Sequence, residues 1–276
     1  RDRRDHHPVG RPRGQARLAV ASARHAEVAP GLIDLHFHCL PGIDDGPPDW
    51  GAAEALCRAA LEDGVTTIVA TPHVLRDPWM NEEPAARQAL VDELNRRLGG
   101  PPKVVAGSEV WYTDELVTLA EAGDAGPLTP LGGSRYLLVE FPPGFVAAQA
   151  AAVFHELAVM GRVPVVAHPE RNLVFSRELG RLGELVEAGA LAQVTAGSLV
   201  GEFGRGARAA AEEMIATGLA HVVASDTHDL KRRPTRMSAA RERVRKLHGG
   251  EVEAGLFDAN PAAVLADEAL PWSWGG

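Results

Sequence analysis

Seven short runs rich in β-branched residues punctuate the chain from Leu32 onward, with amphipathic stretches between them. They are "LIDLHFH" from Leu32, "VTTIVATPH" from Val65, "KVVAGSEVW" from Lys103, "RYLLVEF" from Arg135, "VPVVAH" from Val163, "ALAQVTA" from Ala190 and "HVVASDTH" from His221. Short apolar runs alternating with helical segments are the signature of repeated βα units and a parallel sheet. Helices are expected over 50–62, 84–98, 146–160, 177–187, 205–217 and 235–247. Several end on glycine (Gly64, Gly99, Gly161, Gly189 and Gly218), which suits a helix C-terminus. The connection 113–133, richer in Gly and Pro, reads as mixed helix and loop, and "EVEAGLFDANPAAVLADE" as one or two short outer helices. The units show no self-similarity, so the fold class is α/β, closed or doubly wound, rather than a solenoid. A seven-stranded (β/α) barrel fits best.

The first thirty residues are a different material. They hold seven arginines and three acidic groups, no aromatics and no apolar core of the kind a secretory signal needs. Residues 1–30 are therefore expected to be a disordered basic leader, and residues 31–276 a single barrel domain. The whole chain, 276 residues with a formal net charge of −9, argues against a dedicated nucleic-acid binder. Its two cysteines, Cys39 and Cys57, are too few for a disulfide framework and point to a reducing compartment, with the cytoplasm as default. No apolar run is long enough to span a membrane.

Polar residues fall at the ends of these runs. The first ends in His36 and His38, the second in His73, the third carries Glu109, the fourth Glu140, the fifth ends in His168, and the seventh in Asp226 and His228. In a parallel barrel the C-terminal strand ends converge on one face, where active sites lie. His36 and His38, at i and i+2, share a side of their strand, and Asp45 can fold back over them from the Pro-Gly turn. One such residue is commonly a solvated loop residue; the joint pattern of five histidines and four carboxylates is not. His6, His7, His25, His155, His221 and His248 lack this placement. Nine ligands exceed what one ion needs, so two or three ions sharing bridging carboxylates are expected. An imidazole and carboxylate set suits Mn, Fe, Zn or Mg. Cys39, alternating with His38, should face away and pack.

Adjacent divalent ions activate water and neutralise a phosphoryl group, so phosphate-ester hydrolysis is the natural reaction. Arg171 in "HPER" and Arg233 in "KRRP" sit where a phosphate needs a guanidinium fork. The plainer alternatives are an ion pair of Arg171 with Glu170 or another wall carboxylate and a solvated helix flank for Arg232 and Arg233. A cysteine phosphatase would need an arginine six residues after its thiolate, but Asp45 and Asp63 stand there. Neither a Gly-x-Ser-x-Gly elbow nor a phosphate loop of the Gly-x-x-x-x-Gly-Lys type is present.

"IDLHFHCLPGIDDG", "IVATPH", "GSEV", "YLLVEF", "VVAHPERN", "QVTAGSLVGEFG" and "HVVASDTHDLKRRP" resemble, in order and spacing, the polymerase and histidinol phosphatase (PHP) superfamily. Within it they look most like the CpsB/CapC type of bacterial protein-tyrosine phosphatase, from about Leu32 to Ala266. The resemblance implies a distorted seven-stranded barrel resembling a TIM barrel and a trinuclear, usually manganese-dependent centre. It also implies dephosphorylation of tyrosines on the tail of a partner tyrosine autokinase that controls polysaccharide export in capsule or exopolysaccharide synthesis. It places metal ligands on His36, His38, Asp45, His73, Glu109, Glu140, His168, Asp226 and His228, and phosphate-binding arginines on Arg171 and Arg233. The expected mechanism is direct attack by activated water with no covalent enzyme intermediate. The alternative is a small-metabolite phosphatase, such as one for histidinol phosphate, using the same centre.

Overall fold

A computed structural model describes residues 31–273; the expected leader, with His6, His7 and His25, lies outside the described residues. The strands are β1 (Leu32–Phe37), β2 (Val65–Ala70), β3 (His73–Val74), β4 (Lys103–Ala106), β5 (Glu109–Trp111), β6 (Tyr136–Glu140), β7 (Val163–Ala167), β8 (Leu191–Thr195) and β9 (Val222–Ala224). They form a three-stranded sheet in the order β1-β2-β4 and a six-stranded sheet in the order β3-β5-β6-β7-β8-β9, with every pair parallel. The fold is mixed α/β.

The nine strands come from the seven runs because two runs break. Pro72 has no N–H to give the ladder, so the second run divides into β2 and β3 around Thr71 and Pro72. The third divides at the same level, around Gly107 and Ser108, where the Gly107 N–H donates to Ala70 O (2.9 Å) and the Glu109 N–H to Pro72 O (3.1 Å). A Cβ on Gly107 would stand 2.6 Å from Val69 Cγ1, so only bare backbone fits at that bend. Just beyond the break His73 and Glu109 are register partners.

Backbone hydrogen bonds also link β1 to the segment after β9. Asp226 N–H donates to His36 O and His38 N–H to Thr227 O, both at 2.9 Å. Between them the side chain of Asp34, fully buried, accepts from the Ser225 N–H (2.9 Å) and the His36 N–H (3.3 Å).

Helices α1 (Trp50–Glu62), α2 (Pro84–Leu98), α4 (Ala150–Val159), α5 (Leu179–Glu187), α7 (Gly204–Ala216) and α8 (Met237–His248) take the expected places, with α3 (Leu116–Glu121) in the mixed connection. The expected start at 146 shifts to Ala150, because the preceding Pro142-Pro143-Gly144 run holds the chain in a turn. Unforeseen is α6 (Ala196–Val200), which follows β8 directly and stops at left-handed Gly201. The C-terminal stretch makes α9 (Gly250–Ala254), a π-helical turn and α10 (Asn260–Leu265). Among the described residues no helix is long and apolar enough to cross a membrane.

Two apolar layers support the strand ends. One includes Phe37, Leu56, Phe154, Met214, Cys39 and Cys57, so Cys39 packs as expected. The other draws Leu35, Leu138, Val165 and Val222 from separate strands, each shortly before a polar strand end, and adds Val264 of α10.

Burial raises the Asp34 carboxyl from 3.8 to about 6, against the opposing bonds from Ser225 and His36. The native state thus holds this proton more tightly than the unfolded chain, and stability falls as pH rises between those two values. Asp34→Asn should gain stability relative to the parent across that window, on the order of 2 kcal/mol. Asp34→Ala should lose about 1–3 kcal/mol by stranding the Ser225 N–H. Urea unfolding of metal-free protein at about pH 4.5, inside the window, and about pH 7.5, above it, checks both.

Candidate metal centre

All nine expected side chains come together. They fall into four overlapping groups whose nitrogen and oxygen atoms lie within 4.8 Å of one another: His38, Asp45, His73 and His228; His36, His168 and Asp226; His36, His38 and Glu109; and His73, Glu109 and Glu140. Eight of the nine are buried, and Asp45 closes the cluster from its exposed turn.

The backbone aims them there. His36 and His38 stand on one side of β1, with their Nε2 atoms 3.1 Å apart. Their outer nitrogens are occupied elsewhere: His36 Nδ1 donates to Gln193 Oε1 and His38 Nδ1 to Asp44 Oδ2, each at 2.8 Å. Such outer partners fix the tautomer and leave Nε2 directed inward. His168 and Asp226 adopt left-handed backbone, φ 32° and 55°, which is strained for residues with a Cβ and turns both side chains into the cluster.

Electrostatics bind the group together. Burial disfavours the charge on Glu109, but His36 and His73 hold its carboxyl well below the usual range. Asp226 is likewise held low against burial by Arg233 and Arg171. Burial, then the neighbouring Glu109 charge, pushes Glu140 up to about 8. His36 rises to about 9 and His73 to about 10, because nearby carboxylates, Glu109 foremost, outweigh burial. Burial, reinforced by Arg171 and His38 respectively, drops His168 and His228 to about 4.

The donor set fits divalent cations. Glu109 Oε2, Glu140 Oε2, Asp226 Oδ1 and His228 Nε2 are buried with no hydrogen-bond partner. Glu109 Oε2 lies 2.9 Å from His73 Nδ1, and His228 Nε2 lies 3.0 Å from Asp45 Oδ1, but neither contact has hydrogen-bond direction. Unpaired donors converging in this way suit an ion between them. Every inward atom is nitrogen or oxygen, which favours Mn, Fe, Zn or Mg over a thiolate-loving ion.

Both expected arginines border the cluster, and both reach the same atom: Arg171 Nη1 and Arg233 Nη2 (2.6 Å) donate to Asp226 Oδ2. The plainer alternative for Arg171 is thus met in part: its ion pair is with a wall carboxylate, Asp226, and no hydrogen bond joins it to Glu170. Glu170 instead accepts from Ser198 Oγ (2.6 Å) and the Thr195 N–H (3.1 Å), while the Arg171 guanidinium rests over Phe203, 4.6 Å from the ring centroid. Arg233 is only partly exposed, unlike Arg232. His155 lies exposed on α4, and His221 accepts from the Ala192 N–H away from the cluster.

Several supporting residues escaped the sequence reading. Gln193 sits in the one run without a histidine or carboxylate near its end, where a lone amide in a buried strand was the signal. Asp44 was visible beside Asp45, but nothing in the order of residues says which of the two meets His38. Arg76, ion-paired with Glu140 (3.0 Å to Oε2) and hydrogen-bonded to His73 Nε2 (2.7 Å), lies on a loop that carried no signal.

Comparison with known proteins identifies relatives over most of the chain. The family model described as "Capsular polysaccharide synthesis, CpsB/CapC" matches residues 32–266. The chain is 38% identical over 243 residues to tyrosine-protein phosphatase YwqE of Bacillus subtilis, covering 87% of this chain and 93% of the relative. It is 35% identical over 244 residues to a putative tyrosine-protein phosphatase CapC of Staphylococcus aureus, with the same coverage. A solved structure from work on YwqE and on CpsB of Streptococcus pneumoniae, described as metal-dependent tyrosine phosphatases, superposes with a TM-score of 0.82. It shares 35% identity and covers 87% of this chain and 96% of that one. The chain belongs to the CpsB/CapC family.

Proposed function

We propose that this protein is a metal-dependent protein-tyrosine phosphatase on a closed seven-stranded PHP barrel. Its substrate would be the phosphotyrosine tail of an autokinase in capsule or exopolysaccharide synthesis. The observation that carries the reading is the convergence of eight buried imidazoles and carboxylates, several unpaired, with Asp45 from its exposed turn, beside two arginines that share Asp226. Barrel closure is supported by the bonds between β1 and residues 225–227. Kinship to named tyrosine phosphatases supports the substrate class.

In this reading His36, His38, Asp45, His73, Glu109, Glu140, His168, Asp226 and His228 hold two or three ions, manganese first among the candidates. Ions in such a site supply an activated water and neutralise charge on phosphoryl oxygens. Arg171 and Arg233 present planar forks to the remaining oxygens, and Phe203 steadies the first of them. Asp226 holds both guanidinium groups at the rim until a phosphate takes their bonds. Gln193 and Asp44 keep His36 and His38 in the right tautomer. A tyrosine phenolate, with a pKa near 10, leaves without a strong general acid, so the site needs none.

A peptide substrate is further supported by the mouth. Exposed Met80, Phe145, Leu173 and Leu230 stand on the loops after β3, β6, β7 and β9, an apolar rim that a small metabolite would not use.

Purified protein with manganese should hydrolyse a phosphotyrosine peptide, lose that activity to a chelator, and regain it when manganese returns. Faster turnover of histidinol phosphate would instead favour the metabolite reading, and activity that survives chelation would defeat both. Single turnover in isotopically labelled water should deliver the label to phosphate; a trapped phospho-enzyme would contradict direct attack.

Arg171→Ala and Arg233→Ala should each lower kcat/KM by roughly ten- to a hundredfold while manganese content stays unchanged. Lysine at either position should rescue only partly, having no fork. Metal analysis beside steady-state kinetics separates the two effects.

Loading must displace protons from His36 and His73, whose values lie at about 9 and about 10. Manganese affinity should therefore fall as pH drops, by about tenfold per unit for each proton displaced. Titration calorimetry in buffers of different ionisation enthalpy reads the released protons, and a pH-independent affinity would contradict the assignment.

A further inference from the structure

The metal cluster and the two arginines engage the phosphoryl end of a substrate, and an aromatic leaving group requires a surface of its own. One side of the mouth has such a surface. Trp111 follows Glu109 by two residues on β5, so it shares that residue's face of the sheet one step further out, and it is the register partner of Glu140. Trp79, on the loop after β3, lies nearly parallel to the His73 ring, with centroids 5.4 Å apart and an interplanar angle of 19°. Both indoles are half-buried, whereas the His73 and Glu109 side chains behind them are buried.

Arg76 ties the two indoles to the cluster. Its guanidinium carbon stands 4.9 Å from the Trp111 ring centroid and 5.6 Å from that of Trp79, while Nη1 forms an ion pair with Glu140, 3.0 Å from Oε2. The loop is itself fastened. Arg76 N–H donates to Trp79 O (3.2 Å), and the Asn81 side chain donates to Ile43 O (2.9 Å) and His73 O (2.8 Å), joining it to the turn that carries Asp45. The indoles are thus held in place before any ligand arrives, and rigid aromatic surface loses little entropy on binding. A core-packing role alone would not leave two tryptophans and an arginine partly exposed directly outside buried imidazole and carboxylate groups.

We propose that Trp79 and Trp111, braced by Arg76, form an aryl-binding wall that receives the phenyl ring of a phosphate monoester and makes the site prefer aryl over alkyl esters. This rests on the phosphatase reading and deepens it: the same centre would act on phosphotyrosine in preference to phosphoserine because of this wall.

The test measures binding without turnover. Dissociation constants of phenylphosphonate and methylphosphonate for the manganese-loaded protein are obtained by calorimetry for the parent, Trp79→Ala, Trp79→Phe and Trp111→Ala. The parent should favour the phenyl ligand. Each alanine variant should shrink that preference by roughly three- to tenfold, the range expected for one lost aromatic contact, and Trp79→Phe should retain most of it. A general disturbance of the centre would weaken both ligands alike and leave their ratio unchanged, and that result in Trp79→Ala overturns the proposal. So does a parent protein with no aryl preference. Should Trp111→Ala fail to fold, Trp79→Ala, on its surface loop, decides the matter alone. A parent that favours phenylphosphonate yet leaves phosphotyrosine peptide intact would sink the catalytic reading while the wall stands, so the two failures are distinguishable.

Discussion

Burying a carboxylate is costly unless positive charge or hydrogen bonds compensate it, and this protein buries Glu109, Glu140 and Asp226 within one cluster. The arrangement holds because imidazoles and guanidinium groups meet them there: His36 and His73 are driven toward their charged forms, and Arg171 and Arg233 both settle on Asp226. Among the described residues the nine side chains of this cluster make up every group of three or more histidines and carboxylates close enough to hold a metal ion. The same mutual compensation leaves lone pairs aimed at shared points, and that makes the cluster suited to cations.

The surrounding structure serves that compensation. Apolar side chains one to a few residues before each polar strand end pack into a continuous layer, so the charged groups start where the core stops. Backbone strain is concentrated in the same place. His168 and Asp226 take left-handed conformations that side chains rarely adopt, and the hydrogen bonds around them hold those conformations against the cost. Asp34 repeats the theme from the opposite side. It spends its buried carboxyl on the Ser225 N–H and so keeps the end of β9 beside β1, where Asp226 meets His36.

The mouth above the cluster has two characters. Guanidinium groups of Arg171 and Arg233 lie on the side of Asp226, and the indoles of Trp79 and Trp111 on the side of His73 and Glu140. An ester with a charged phosphoryl head and an aromatic body matches both halves at once. Exposed apolar residues on four of the surrounding loops extend the surface beyond a single side chain.

Much of this was legible in the order of residues, because apolar runs announce strands and a parallel arrangement forces their ends to one face. His36, His38, His73, Glu109, Glu140, His168, Asp226 and His228 could be assembled on that ground alone, and Asp45 by the turn that precedes it. Breakage of the second and third runs was not legible, although Pro72 and Gly107 were in plain view. Their effect depends on the two bends falling side by side, and adjacency of strands is a property of the folded chain. Gln193, Asp44 and Arg76 were hidden for the same reason, since each acts on a histidine through a contact that local pattern does not encode. Sequence by itself determined which side chains are polar at buried strand ends, because hydrophobic periodicity is local. Only the tertiary structure decided their partners, because hydrogen bonds and ion pairs are set by distances between segments far apart in the chain.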